Sequence, residues 1–135
     1  MSAIAVLRHR NDAAPPHAVR AGRRQLWAHR IDRRHHCIVV RIEGELDAAV
    51  YPEFRTLLDR ALNTPCHAVV IDLRAATFVS IRAAATLAPA RDYALNRGVD
   101  LRVVTGRREV ERALEVTGVR SAFCHYPTMR AALDA

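Results

Sequence analysis

Residues Ala68-Val69-Val70-Ile71, followed at once by Asp72-Leu73, decide the fold class. So short an apolar run is typical of a strand covered on both faces in a parallel sheet. Upstream, Phe54, Leu57, Leu58, Ala61 and Leu62 recur at helical spacing and predict an amphipathic helix. Pro52 opens it, where a first helical turn has no use for the missing amide hydrogen. Before that helix, His36 to Glu43 (HCIVVRIE) is a β-branched run that predicts a strand, broken by Gly44-Glu45-Leu46-Asp47. Gln25 to Ile31 predicts a short leading strand with Trp27 as a half-buried anchor, and the polar Asp32-Arg33-Arg34-His35 predicts a hairpin turn.

Downstream of Asp72, Ala83 to Asn96 is rich in Ala and Leu and predicts a second helix, stopped by Gly98. Leu101 to Thr105 predicts another buried strand, and Val110, Ala113, Leu114 and Thr117 mark a third helix stopped by Gly118. Phe123 to Tyr126 predicts a last edge strand, and Thr128 to Leu133 a final helical turn or two. Strands alternating with helices imply right-handed crossovers and a mostly parallel sheet. The expectation is one α/β domain: a sheet of about four to five strands, an N-terminal hairpin and about four helices.

A length of 135 residues suits one such domain. All 21 basic residues are arginine, which excludes chemistry that needs a lysine amine, such as a Schiff base or a Walker-type phosphate loop. The formal net charge of +7 is unevenly placed. Residues 1–34 carry eight Arg against Asp12 and Asp32, a net of +6, whereas residues 35–135 carry thirteen Arg against twelve acids, a net of +1. Residues 1–24, with Pro15-Pro16 and no sustained period, predict a flexible Arg-rich tail ahead of a domain over 25–135. The tail's charge suits nucleic acid or an anionic membrane; its lack of interleaved aromatics suits a solvated extension instead.

The apolar run Ala3-Ile4-Ala5-Val6-Leu7 is too short to span a membrane and lacks a basic segment before it. A soluble, cytoplasmic protein is expected. Motifs for catalysis are missing: GxSxG, HExxH, GxGxxG and GKS/GKT do not occur. The five glycines (22, 44, 98, 106, 118) fall at element boundaries, as turn punctuation would. Three cysteines each adjoin a histidine, as His36-Cys37, Cys66-His67 and Cys124-His125. Zinc needs about four converging ligands, and neighbours on a strand point to opposite faces, so reduced thiols without a metal are expected. Asp72 ends a buried strand, where open parallel sheets gather ligands, so the segment after it is the place to look. One carboxylate without a partner base predicts a structural or capping role. The chain is expected to be no enzyme, with no catalytic residue, cofactor or metal.

Gly44-Glu45-Leu46-Asp47, the helix opened by Pro52, and Val70-Ile71-Asp72-Leu73 with Phe78 six residues after the Asp together resemble the STAS domain. That family includes bacterial anti-sigma-factor antagonists (anti-anti-sigma factors) and the cytoplasmic domains of sulfate transporters. Leu114-Glu115-Val116-Thr117-Gly118-Val119 is similar to the same family, and the likeness runs from about residue 25 to residue 135. The resemblance implies a regulatory binding module. In the antagonists, the dephosphorylated domain binds an anti-sigma factor, usually an ATP-dependent serine kinase, and phosphorylation of a serine at the start of the second helix ends the contact.

Aligned from Asp72 and Phe78, the four motif positions here are Ser80, Ile81, Arg82 and Ala83. Arg82 stands at the phosphoacceptor position, Ser80 replaces the motif Asp, and Ala83 replaces Gly. Arginine has no hydroxyl to accept the phosphoryl group of the serine switch, and it has the wrong sign to imitate phosphoserine. It also opposes the helix macrodipole, by about 0.3–1 kcal/mol when exposed. Two readings stay open: Arg82 meets an acidic group of a partner, or a diverged domain tolerates an exposed arginine. Ser80 is the alternative acceptor. Asp47, in the loop that contributes to the partner surface in this family, either contacts the partner or orders the turn and caps the helix near Pro52. The partner-binding set implied by the resemblance is therefore Asp47, Ser80, Ile81, Arg82 and Ala83. The expected function is that of an anti-sigma-factor antagonist lacking the usual phosphorylatable serine; the alternative is a STAS accessory subunit of a membrane transporter. Oligomeric state is left open.

Overall fold

The structure, a computed structural model, describes residues 24–32, 36–123 and 125–135, the first of these through its backbone. The expected tail, the Arg33–His35 turn, the Trp27 anchor and the Cys124 thiol lie outside the described residues and side chains.

The elements follow the chain as β1 (Arg24–Asp32), β2 (Cys37–Leu46), α1 (Tyr51–Leu62), β3 (Ala68–Leu73), β4 (Ala76–Val79), α2 (Ile81–Asn96), β5 (Asp100–Thr105), α3 (Arg108–Val116), α4 (Val119–Ala122), β6 (His125–Tyr126) and α5 (Met129–Asp134). The sheet order is β1-β2-β3-β5-β6, with β4 also paired to β2. β1 and β2 are antiparallel, and the other pairs are parallel. The α/β class and the leading hairpin agree with expectation; the sheet has six strands and the described chain five helices, one more of each than anticipated.

The extra strand, β4, pairs with the segment that was expected to break β2. Gly44 adopts φ 88, a conformation that costs other residues strain, and a register shift lies between Gly44 and Glu45. The irregularity changes the neighbour of β2 without ending it. Cys37 to Arg41 pair with β3, and Gly44 to Leu46 pair with β4. The four residues of β4, with only their outer pair buried, have too little period to be read as a strand. At the other end, the helix α4 takes up Val119–Ala122 after Gly118, and the expected strand over Phe123–Tyr126 shrinks to His125–Tyr126. Among the described residues the leading strand begins at Arg24, which pairs with Gly44.

Every residue of β3 is buried, as its apolar run requires. One face of the sheet, through Ile38, Val40, Ile42, Val69, Ile71, Leu73, Leu101 and Val103, packs on Phe54, Leu58, Leu87 and Leu114 of α1, α2 and α3. The opposite face, through Val39, Val70 and Val104, packs on Ala132 and the part-buried Tyr126, Met129 and Leu133. On that second face Arg102 is buried, and it fastens the short α5. Its guanidinium donates to the main-chain oxygens of Ala132 (2.7 Å) and Ala135 (3.1 Å) and to Asp100 Oδ2 (2.8 Å). Cations at a helix C-terminus also meet the negative end of its dipole.

Candidate functional site

The pairing of β2 with β4 builds the candidate surface. Leu46 and Val79 are register partners, so the residues just beyond them, Asp47 and Ser80, emerge side by side. The Ser80 amide donates to the Leu46 carbonyl at 3.0 Å and fixes this junction. Ser80 then acts as N-cap of α2: its Oγ accepts from the Ala83 amide at 3.1 Å. The hydroxyl suggested as an alternative phosphoacceptor is thus already engaged by the helix it starts.

Asp47 orders the turn into α1. Its Oδ1 accepts from the amides of Ala49 (3.0 Å) and Val50 (3.1 Å), while its carbonyl accepts from those of Val50 and Tyr51. The N-cap position itself is Val50, which makes no side-chain cap, so Asp47 acts one turn ahead of the helix. The result is a defined position for Tyr51. Its hydroxyl lies 2.7 Å from Thr86 Oγ1 on α2, and Arg55 Nη1 donates to it at 3.3 Å. The guanidinium of Arg82 lies over the ring, 5.2 Å from its centroid. The hydrogen bond with Thr86, with smaller help from Arg55 and Arg82, holds the Tyr51 phenol below its ordinary value against the opposing effect of burial. Arg55 is raised in turn, by Tyr51 first and Asp59 second.

The five residues expected at the partner surface therefore divide. Asp47, Ser80, Ile81 and Arg82 come together at the start of α2, with Ile81 and Arg82 exposed and the other two half-buried. Ala83 does not join them. At 1% exposure its methyl is turned into the core, because the helix phase that exposes Ile81 and Arg82 buries the next two positions. Phe78, at 46% exposure, and Ile81, at 54%, add apolar surface beside Arg82. Tyr51, Arg55 and Thr86 were not anticipated. The i, i+4 spacing of Tyr51 and Arg55 hints at one shared helical face, but nothing in the sequence brings that face to α2.

The place singled out after Asp72 is filled. Asp72 Oδ1 accepts from the Arg74 amide (3.1 Å) and from its Nε (2.9 Å), and Oδ2 accepts from Arg74 Nη2 (2.9 Å). The carboxylate raises the pKa of Arg74 against the opposing effect of burial and is itself buried, so its work is to shape the β3–β4 turn. Gly106 completes the arrangement: a Cβ there would stand 3.0 Å from the Arg74 carbonyl oxygen. Among the described residues, no three His, Cys, Asp or Glu side chains gather as metal ligands. Cys37 is buried, Cys66 is half-buried, and His36 and His67 are exposed.

This topology agrees with comparison to known proteins. The model of the STAS domain matches residues 29–132. The chain belongs to the STAS domain family. It is 30% identical over 106 residues to the anti-sigma-F factor antagonist RsfA of Mycobacterium tuberculosis, covering 76% of this chain and 83% of that protein. Among solved structures, an anti-sigma factor antagonist from Mycobacterium paratuberculosis superposes with a TM-score of 0.72 at 26% identity, over 81% of this chain and 90% of the other. The antagonist SpoIIAA in its unphosphorylated form shares the fold, with a TM-score of 0.65 at 14% identity, over 82% and 93% of the two chains. In this STAS domain the start of α2 carries an arginine held by a tyrosine, with a serine as the cap.

Proposed function

We propose that this STAS domain is an anti-sigma-factor antagonist, a non-enzymatic module that binds an anti-sigma factor and so releases a sigma factor for transcription. The observation that carries the reading is the surface of Asp47, Ser80, Ile81 and Arg82, ordered at the ends of β2 and β4. It belongs to a chain that covers 83% of an antagonist relative, which favours this reading over an accessory subunit of a membrane transporter. No helix among the described residues is long and apolar enough to cross a membrane. A module that acts on sigma factors works in the cytoplasm, with the transcription machinery.

The contact is not broken by phosphorylation at residue 82. Arginine has no hydroxyl, and the Ser80 hydroxyl already caps α2. The partner is an anti-sigma factor, whether or not it has retained kinase activity.

Affinity purification from the source organism, with mass spectrometry of the partners and of the intact bait, tests the reading. Recovery of an anti-sigma factor with a bait free of phosphate supports it. Recovery of a transporter ATPase in its place, or failure of the purified protein to bind any anti-sigma factor of that organism, overturns it.

A further inference from the structure

A groove of about 590 Å³ runs between α1 and α2. Its floor is apolar, with Leu58 and Leu62 on one side and Ala85 and Pro89 on the other. The hydrogen bond from Tyr93 Oη to Asn63 Oδ1, at 2.7 Å, bridges the helices at the far end. The near end carries two cations, Arg55 and Arg82.

Both cations are held by the same side chain. Arg55 Nη1 reaches the Tyr51 hydroxyl at 3.3 Å, and Arg82 lies over the Tyr51 ring. Arg82 has no acidic partner among the described residues, and the first turn of α2 contains no acid. Arg55 has one, Asp59, but the closest approach is 3.7 Å and both side chains are more than half exposed. An exposed pair of that length is worth little and yields to a better-placed carboxylate. Counting Asp59, the groove keeps a positive excess at the mouth. Guanidinium groups fixed in advance lose less freedom on binding than free ones, which suits them to carboxylate recognition.

We infer that this groove receives an acidic segment of a protein partner, one carboxylate seated between Arg55 and Arg82 and the neighbouring aliphatic carbons lying on the Leu58–Leu62 floor. The inference rests on the antagonist reading for the partner's identity, since the groove continues the surface at Ser80, Ile81 and Arg82. It assigns Arg55 and Tyr51, which the family motif does not contain, to the interface. Its occupant is chosen by charge: a basic or neutral segment leaves Arg82 unpaired.

Two experiments keep the inference separable from the antagonist reading. In the first, the ¹⁵N-labelled full chain is titrated at low salt with hexaglutamate or with hexaglutamine. Hexaglutamate is expected to shift the amides of Tyr51, Arg55, Arg82 and Thr86, and hexaglutamine to leave them in place. The double variant Arg55→Ala, Arg82→Ala should lower the hexaglutamate affinity about tenfold. Shifts confined to other regions, or an affinity unchanged in the double variant, overturn the groove as an acid-selective site. In the second, the purified anti-sigma factor is bound to wild type, Arg82→Glu and Arg55→Glu. Each reversal should raise Kd by about tenfold or more, and Kd for the wild type should rise with salt. Equal binding by all three overturns the groove while leaving the antagonist reading intact. Loss of all anti-sigma binding in the wild type, with hexaglutamate recognition retained, overturns the antagonist reading and leaves the groove.

Discussion

Arg82 and Tyr51 form a cation–π pair at 5.2 Å that joins the first turns of α1 and α2. The position that the family resemblance aligns with a phosphoacceptor thus carries a cation tied to the neighbouring helix. An exposed pair of this kind is worth about 0.5–1 kcal/mol. The same arginine opposes the macrodipole of α2, at a cost of about 0.3–1 kcal/mol.

These two effects nearly cancel, so Arg82→Ala should change folding stability by less than about 0.5 kcal/mol in urea denaturation. Tyr51→Phe keeps the ring but loses the Thr86 and Arg55 contacts, and should cost about 0.5–1.5 kcal/mol. A large loss for Arg82→Ala would show that the arginine is a structural element rather than a surface group.

Ser80 is the cap of α2, the longest helix among the described residues. Ser80→Ala should destabilise the fold by about 1 kcal/mol, with the α2 amides near Ala83 gaining hydrogen exchange first. Ser80→Asp keeps an acceptor at the same place and should restore most of the loss. If Ser80→Ala is neutral, the 3.1 Å bond to Ala83 contributes nothing in solution.

Arg102 is the fastening of α5. Arg102→Ala should cost about 2–3 kcal/mol, because the buried main-chain oxygen of Ala132 and the part-buried one of Ala135 lose a charged donor. Hydrogen exchange should rise in α5 and β6 before it rises in β3. Arg102→Lys should rescue little, since one ammonium does not span Asp100, Ala132 and Ala135 together.

His125 should make stability depend on pH. Burial first, and Arg120 second, push its pKa below the ordinary 6.5, outweighing the opposing pull of the Phe123 carbonyl and Glu111. The folded state therefore favours the neutral ring, and the unfolded chain takes up a proton at higher pH than the folded one does. Stability attributable to His125 is whole above about pH 6.5 and falls as pH drops from there toward the lowered folded value. Denaturation of wild type against His125→Leu across about pH 5 to 8 measures it: the wild type should lose stability on the acid side relative to the variant. Parallel curves would remove His125 as the cause.

Much of the architecture is written locally. The apolar run at Ala68–Ile71 specifies a strand buried on both faces, and Phe54, Leu57, Leu58, Ala61 and Leu62 specify one face of α1, because period and composition act within a few residues. Asp47 was legible as a turn residue for the same reason, whereas the capping role of Ser80 was not. The sequence by itself also determined that residue 82 offers no hydroxyl to a serine kinase, since that depends only on which side chain is there. What lay beyond it were relations between distant segments. The bulge at Gly44, which hands β2 from β3 to β4, depends on a partner strand that sequence period does not reveal. The burial of Ala83 follows from how α2 lies on the sheet. The meeting of Tyr51, Arg55, Arg82 and Thr86 depends on two crossover helices packing side by side on one face. Only that tertiary packing turns a substituted arginine into one wall of a charged groove.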